Sequence, residues 1–336
     1  MLEIPLLLVA IVAIALIFDF TNGAHDSANA IATIVSTKVL SPRTAVMMAA
    51  ALNLAGAFLG EEVAHTIGSG IVRTDMVMGC QGLVLAALLG AIFWNVLTWY
   101  WGLPSSSSHA LIGGLIGSAV AYNGFDSLNF MSIVNKVLLP LVFSPMAGFL
   151  GGYLLMLGLS WMFIRANPRR INTSFRKLQI VSAAFMATSH GLNDAQKTMG
   201  IITLALYIFH VIPEIHVPIW VKAACALAMG LGTAMGGWKI VKTMGHKIFK
   251  LEPIHGFAAE TAASLVITGA SFLGAPISTT HTISTSILGV GASKRLSAVR
   301  WGVAKSMVVA WVLTIPASAV VAAICFEGLY LVGVIK

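Results

Sequence analysis

Two aspartates stand where carboxylates are costly. Asp26 lies in an apolar run over roughly 4–35 and Asp194 in another over roughly 178–208. A charged side chain at the centre of a bilayer costs roughly 2.5–3.5 kcal/mol even on the lenient insertion scale, so its presence there points to function. The surroundings repeat as well. The first stretch reads Phe18-Asp-Phe-Thr-Asn-Gly-Ala-His-Asp-Ser-Ala-Asn-Ala30, and the second Met186-Ala-Thr-Ser-His-Gly-Leu-Asn-Asp-Ala-Gln-Lys-Thr198. Gly23 aligns with Gly191 and Asp26 with Asp194, an offset of 168 in a chain of 336. On a helix, Asn22, Asp26 and Asn29 share one face; Asn193, Asp194 and Gln196 are the coupling-ion candidates of the second half. An acid among amide oxygens suits a hard cation or a proton. Gly23 and Gly191 are expected to break their helices and free carbonyls as further ligands. The plainer alternative is that each Asp pairs with a partner such as Lys197 and joins helices. Duplication at matched depth favours the cation site. His25 beside Asp26 could tune proton coupling, although neighbours on a helix point apart.

A second motif repeats at an offset of 172: Pro104, Ser105, Ser106, Ser107, Ser108, His109 and Pro276, Ile277, Ser278, Thr279, Thr280, His281. A proline, then hydroxyls, then a small-residue apolar stretch predicts a helix N-terminus. Free backbone N–H groups, Ser/Thr hydroxyls and the positive end of the helix dipole would together cradle an anion. The plainer reading, a small-residue packing face, fits one such run better than two matched ones. His109 and His281 are expected to orient the hydroxyl loops or to pack helices. Glu260, Glu61 and Glu62 are lesser candidates with structural or gating roles. Trp94, Trp99, Tyr100 and Trp101 suit an interfacial belt.

These residues need elements that cross lipid. The chain is 58% hydrophobic and only 10% charged, where a soluble domain carries roughly 25% charged residues. The 32 glycines suit close helix packing in a membrane. Apolar runs fall at roughly 4–35, 44–60, 78–101, 105–122 and 137–164, then 178–208, 218–238, 257–274, 277–292 and 301–335. The net charge of +8 gathers in short loops rather than in a nucleic-acid patch. Arg165, Arg169, Arg170, Arg176 and Lys177 mark the central connection as cytoplasmic. Glu61, Glu62, Asp75, Asp126 and Glu214 fall in the opposite loops, which places both termini outside. The expected fold is an all-α polytopic membrane protein of two inverted repeats, 1–164 and 178–336, joined by a basic connection over 165–177. Each repeat has about five hydrophobic segments, with broken helices and two helical hairpins meeting near the midplane. Inverted repeats are a mark of secondary transporters. Cys80, Cys225 and Cys325 form no metal or redox motif, and no loop offers a nucleophile with a base, so neither a cofactor nor an enzyme is expected.

The duplicated motifs resemble those of the inorganic phosphate transporter (PiT) family, bacterial low-affinity type. Gly23-Ala-His-Asp-Ser-Ala-Asn-Ala30, Gly191-Leu-Asn-Asp-Ala-Gln-Lys-Thr198, the two Pro-x-Ser-Ser/Thr-Ser/Thr-His hairpins and the Ile315-Pro-Ala-Ser318 stretch carry the likeness. The resemblance implies a dimeric symporter of the inner membrane, with inorganic phosphate between the hairpin tips at Ser105–Ser108 and Ser278–Thr280. Asp26 and Asp194 would then serve a coupling cation, H+ or Na+. His25 replaces the family's first Asn, as in bacterial members that use protons and carry phosphate with Mg2+ or Ca2+. A sulfate permease is the alternative, since relatives of similar sequence carry that dianion.

Overall fold

The computed structural model describes residues 5–77, 80 and 82–335, so the predicted segment starts at residues 4 and 78 lie outside the described residues. The first half runs α1 (Leu6–Ser36), α2 (Pro42–Gly56), α3 (Glu62–Gly70), the single turn α4 (Thr74–Val77), α5 (Leu83–Trp101) and α6 (Ser107–Asn123). It ends with α7 (Phe130–Ile133), which a π turn joins to α8 (Leu139–Met162). The second half runs α9 (Pro168–Ile208), α10 (Ile219–Met235), α11 (Trp238–Lys242), α12 (Pro253–Phe272), α13 (Thr279–Lys294) and α14 (Trp301–Leu331). Among the described residues the one β-type contact is an isolated bridge between Val72 and Leu128.

The packing is reciprocal between halves. Helix α1 packs on α10 while α9 packs on α2, and α6 packs on α14 while α13 packs on α8. The residues from Leu8 to Phe18 of α1 share an apolar cluster with residues 195–208 of α9. The other end of α1, from Ala28 to Ile34, shares a second cluster with Ala183, Met186 and Ala187. These two long helices therefore lie antiparallel, and the polar stretch of each falls between the clusters.

Helix α5 stops at Gly102, whose φ of +66° is left-handed, and α12 stops near Gly274, φ +67°. Glycine takes this conformation without the Cβ penalty of other residues. The following Pro104 and Pro276 cannot continue a helix, so α6 and α13 start afresh. Each packs back on the helix that precedes it.

Several expectations require correction. Neither Gly23 nor Gly191 breaks its helix: α1 runs 31 residues and α9 41 without interruption. The glycines instead admit a neighbouring backbone. A Cβ at Gly23 would lie 2.4 Å from the Met229 carbonyl oxygen, and one at Gly191 2.1 Å from that of Asn53. Gly232 and Gly56 make the return approaches, to the carbonyls of Phe20 and Thr188. Most of the basic connection is helical, because α9 starts at Pro168. Asn167 caps α9, its side chain accepting from Arg169 N at 2.9 Å, and Pro168 sits in the first turn, where its missing N–H costs nothing. The run predicted over 44–60 ends at Gly56, and a separate α3 follows. Against the ten predicted segments, four helices among the described residues are long and apolar enough to cross a membrane: α1, α5, α7–α8 and α14. A fifth counts if α10 and the helix after it, bent by 59°, form one span. Helices α2, α6 and α13 have 15, 17 and 16 residues, short of the roughly 20 that hydrocarbon requires.

Candidate functional site

The helix starts at α6 and α13 are built alike. Ser106 caps α6 and Ser278 caps α13, each side chain accepting from the N–H of the following His, His109 or His281, at 3.2 Å. The two starts meet. The His109 and His281 ring centroids are 4.9 Å apart, and His281 stacks at 4.0 Å on Trp311 of α14. Trp311 in turn donates its indole N–H to the Pro104 carbonyl at 2.9 Å, which ties the α14 ring to the α6 turn. Ser108 donates to the Ile277 carbonyl across the junction at 3.3 Å.

The first-half carboxylate lies against both starts. Ser107 donates to Asp26 Oδ2 and Thr280 to Asp26 Oδ1, each at 3.3 Å. His25 Nδ1 lies 2.5 Å from Asp26 Oδ1. The expectation that these neighbours point apart is thus wrong, because the imidazole folds back along the helix to the carboxylate. His25 Nε2 reaches Thr98 at 3.3 Å and Ser105 at 3.4 Å, and Ser105 donates to Thr98 at 2.8 Å. Asn29 donates to Thr279 at 3.1 Å and Thr280 at 3.0 Å.

The second-half carboxylate meets a built-in cation. Lys197 Nζ contacts Asp194 Oδ1 and Ser108 Oγ, and donates to the Ile277 carbonyl at 3.0 Å. An ammonium held by a carboxylate, a hydroxyl and a carbonyl occupies an oxygen shell of the kind a hard cation takes. Thr279 donates to Asp194 Oδ2 at 2.9 Å. His190 Nε2 lies 2.9 Å from the same oxygen but off the hydrogen-bonding direction, and its Nδ1 meets Asn53 Oδ1 at 3.0 Å. Ligand atoms of Asp26, Asp194 and His190 all fall within 4.8 Å of one another. The carboxylates of the two halves therefore converge on one point, and every residue of this cluster is buried.

Three candidate ligands make no hydrogen bond to either carboxylate among the described residues. Gln196 accepts from Val63 N at 2.8 Å and donates to the Leu192 carbonyl at 2.7 Å, so its amide caps α3. Asn193 donates to Ser271 of α12 at 2.8 Å, leaving its Oδ1 buried and unpaired. Asn22 Oδ1 is likewise buried without a partner. Sequence reasoning missed His190 and Asn53, and weighed Lys197 only as a helix-joining partner. The spacing held a signal, since His190 and Lys197 stand four before and three after Asp194, on the same helical face. Glu260, ranked lower, is fully buried and accepts from Thr33, Ser182 and, at 3.3 Å, Gln179. It joins α12 to α1 and α9.

Comparisons with known proteins place the chain among transporters over nearly its whole length. The model of the phosphate transporter family matches residues 22–322. A probable low-affinity inorganic phosphate transporter of Rhizobium meliloti (strain 1021) is 51% identical over 329 residues, 97% of this chain and 98% of that protein. One of Bacillus subtilis (strain 168) is 49% identical over 322 residues, 96% of each. Among solved structures, a sodium-dependent phosphate transporter superposes with a TM-score of 0.89 at 25% identity, over 97% of this chain and 99% of that one. The chain belongs to the phosphate transporter family and is a multi-pass membrane transporter, not an enzyme.

Proposed function

We propose that the chain carries inorganic phosphate into the cell together with a coupling cation, as two inverted halves closing on one central site. The observation that carries this reading is the sharing of hydroxyls. Ser107, Thr279 and Thr280, the donors that would hold an anion at the starts of α6 and α13, here donate to Asp26 and Asp194. A phosphate dianion beside two carboxylates and one lysine leaves a net negative charge that a dry interior does not tolerate. A cation on the carboxylate side lowers that charge and frees the hydroxyls held by Asp26 to turn to phosphate. Anion and cation thus bind together or not at all. The membrane potential sets the same demand, since each unneutralised negative charge moved inward against 100 mV costs roughly 2.3 kcal/mol. Lys197 already satisfies Asp194, so the mobile cation belongs at Asp26, with His25 beside it. The antiparallel α1 and α9 and the reciprocal helix pairs support the inverted arrangement. The sulfate alternative gains nothing from the relatives, whose names read phosphate.

The test is radiolabelled phosphate uptake by proteoliposomes under imposed pH or sodium gradients, with sulfate as competitor. Uptake should follow a cation gradient and resist sulfate. Asp26→Asn should lower it at least about tenfold, the rate equivalent of one lost charge-assisted contact. Wild-type rates in that variant, or sulfate displacing phosphate, would refute the proposal.

A further inference from the structure

Asp19 is the buried acid that this site does not use. It lies on α1, two turns before Asp26 on the same face, about 10 Å along the axis. It is fully buried, and neither carboxylate oxygen has a hydrogen-bond partner among the described residues. Glu260, equally buried, shows what a structural acid looks like here, with Thr33, Ser182 and Gln179 donating to it. Around Asp19 stand the Thr198 hydroxyl of α9 and the Cys225 thiol of α10, close but outside hydrogen-bonding geometry. The charged groups that act on it are Asp194, which repels a second negative charge, and Lys197. Lys197 cannot serve Asp19 as a partner, because its ammonium is held by Asp194, Ser108 and Ile277. A bare carboxylate with neither donor nor cation is not stable in a dry interior, whereas the neutral acid is. A metal ion is a poor occupant, because a hard cation needs several oxygens and beside the carboxylate stand the Thr198 hydroxyl and a thiol, with the unpaired Asn22 Oδ1 one turn on.

We propose that Asp19 is a proton site of the transport cycle, loaded as the neutral acid in the closed state seen here and unloaded when α1 parts from α9 and α10 to admit water. In unloading, the carboxyl O–H bond breaks, the proton passes to water and the carboxylate stays behind, solvated. The face of α1 that bears Asp19, Asn22, Asp26 and Asn29 would then carry the proton and the anion site on one rigid element. The inference rests on cation-coupled phosphate transport and makes a proton one of the coupled cations.

The experiment separates net movement from exchange in proteoliposomes holding the full chain. A carrier that lacks its proton site still swaps labelled for unlabelled phosphate, since exchange needs no net proton transfer, but it cannot accumulate phosphate against a gradient. Wild type should accumulate about tenfold per pH unit for each coupled proton. Asp19→Asn and Asp19→Ser should retain exchange within a factor of about two and lose the response to pH. Asp19→Glu should keep both. Accumulation that still follows pH in the neutral variants overturns the proposal, as does wild-type uptake that follows sodium and ignores pH. Loss of exchange in both neutral variants, or failure of both to fold, assigns Asp19 to structure and also overturns it. Absence of phosphate exchange in wild type would instead refute the transport reading itself.

Discussion

At the scale of residues, the decisive pair is Asp194 with Lys197, and its energetics are those of a buried ion pair. Removing one partner of such a pair leaves an uncompensated charge at a cost of roughly 3–5 kcal/mol, while removing both is close to neutral. Lys197→Met should therefore unfold in detergent at markedly lower temperature, and the double variant Asp194→Asn with Lys197→Met should regain most of the loss. A double variant no more stable than Lys197→Met alone would show that the pair carries no such coupling. Sequence made the carboxylates and hydroxyls legible, because a polar residue inside an apolar run is conspicuous. Their partnerships were hidden. Whether Lys197 turned to Asp194 or to solvent depended on the Ile277 carbonyl and Ser108, which belong to two other helices. The same is true of Gln196, whose amide was drawn away by the buried first-turn N–H groups of Val63 and Ala64, which have no acceptor within α3.

At the scale of elements, the glycines explain why two long helices stay whole around a polar centre. Gly23 with Gly232 and Gly191 with Gly56 bring backbones together at the α1–α10 and α9–α2 crossings. Such approach maximises van der Waals contact where lipid gives no hydrophobic drive for association. A sequence shows that a glycine is present but not whether it bends a helix or thins it, and here it thins it. The prediction is direct. At Gly191 a Cβ meets backbone at 2.1 Å, so Gly191→Val should destabilise by roughly 1–3 kcal/mol through overpacking. At Gly158 of α8 a Cβ meets nothing within 4 Å, so Gly158→Ala should be neutral or stabilise by about 0.5–1 kcal/mol through helix propensity. Thermal unfolding of the purified variants checks both, and equal shifts at the two positions would contradict the close-approach account. The hairpin turns were more legible, since Gly102 with Pro104 and Gly274 with Pro276 signal a stop and a restart in local terms alone.

At the scale of the whole molecule, the antiparallel pairing of α1 with α9 makes a statement about sidedness. On the proposed inverted arrangement, the antiparallel α1 and α9 would enter the membrane from opposite faces, and the segment joining the halves would lie on one defined side. On the same proposal the basic residues Arg165, Arg169, Arg170, Arg176 and Lys177 would put that segment in the cytoplasm. Arg176 donates to the Lys38 carbonyl at 2.9 Å, which brings the loop after α1 to the same side as the start of α9. Asp126, exposed between α6 and α7, falls on the opposite side if α5 and α6 return the chain outward. These placements predict the outcome of cysteine labelling in sealed right-side-out vesicles. Asp126→Cys, in a background free of Cys80, Cys225 and Cys325, should react with a membrane-impermeant thiol reagent at once. Asn172→Cys, exposed on α9, should react only after the membrane is permeabilised. Labelling of both from the same side would undo the inverted arrangement. With it would go the reason for two matched helix starts to face each other, since only opposed entry lets the α6 and α13 turns approach one centre from both faces.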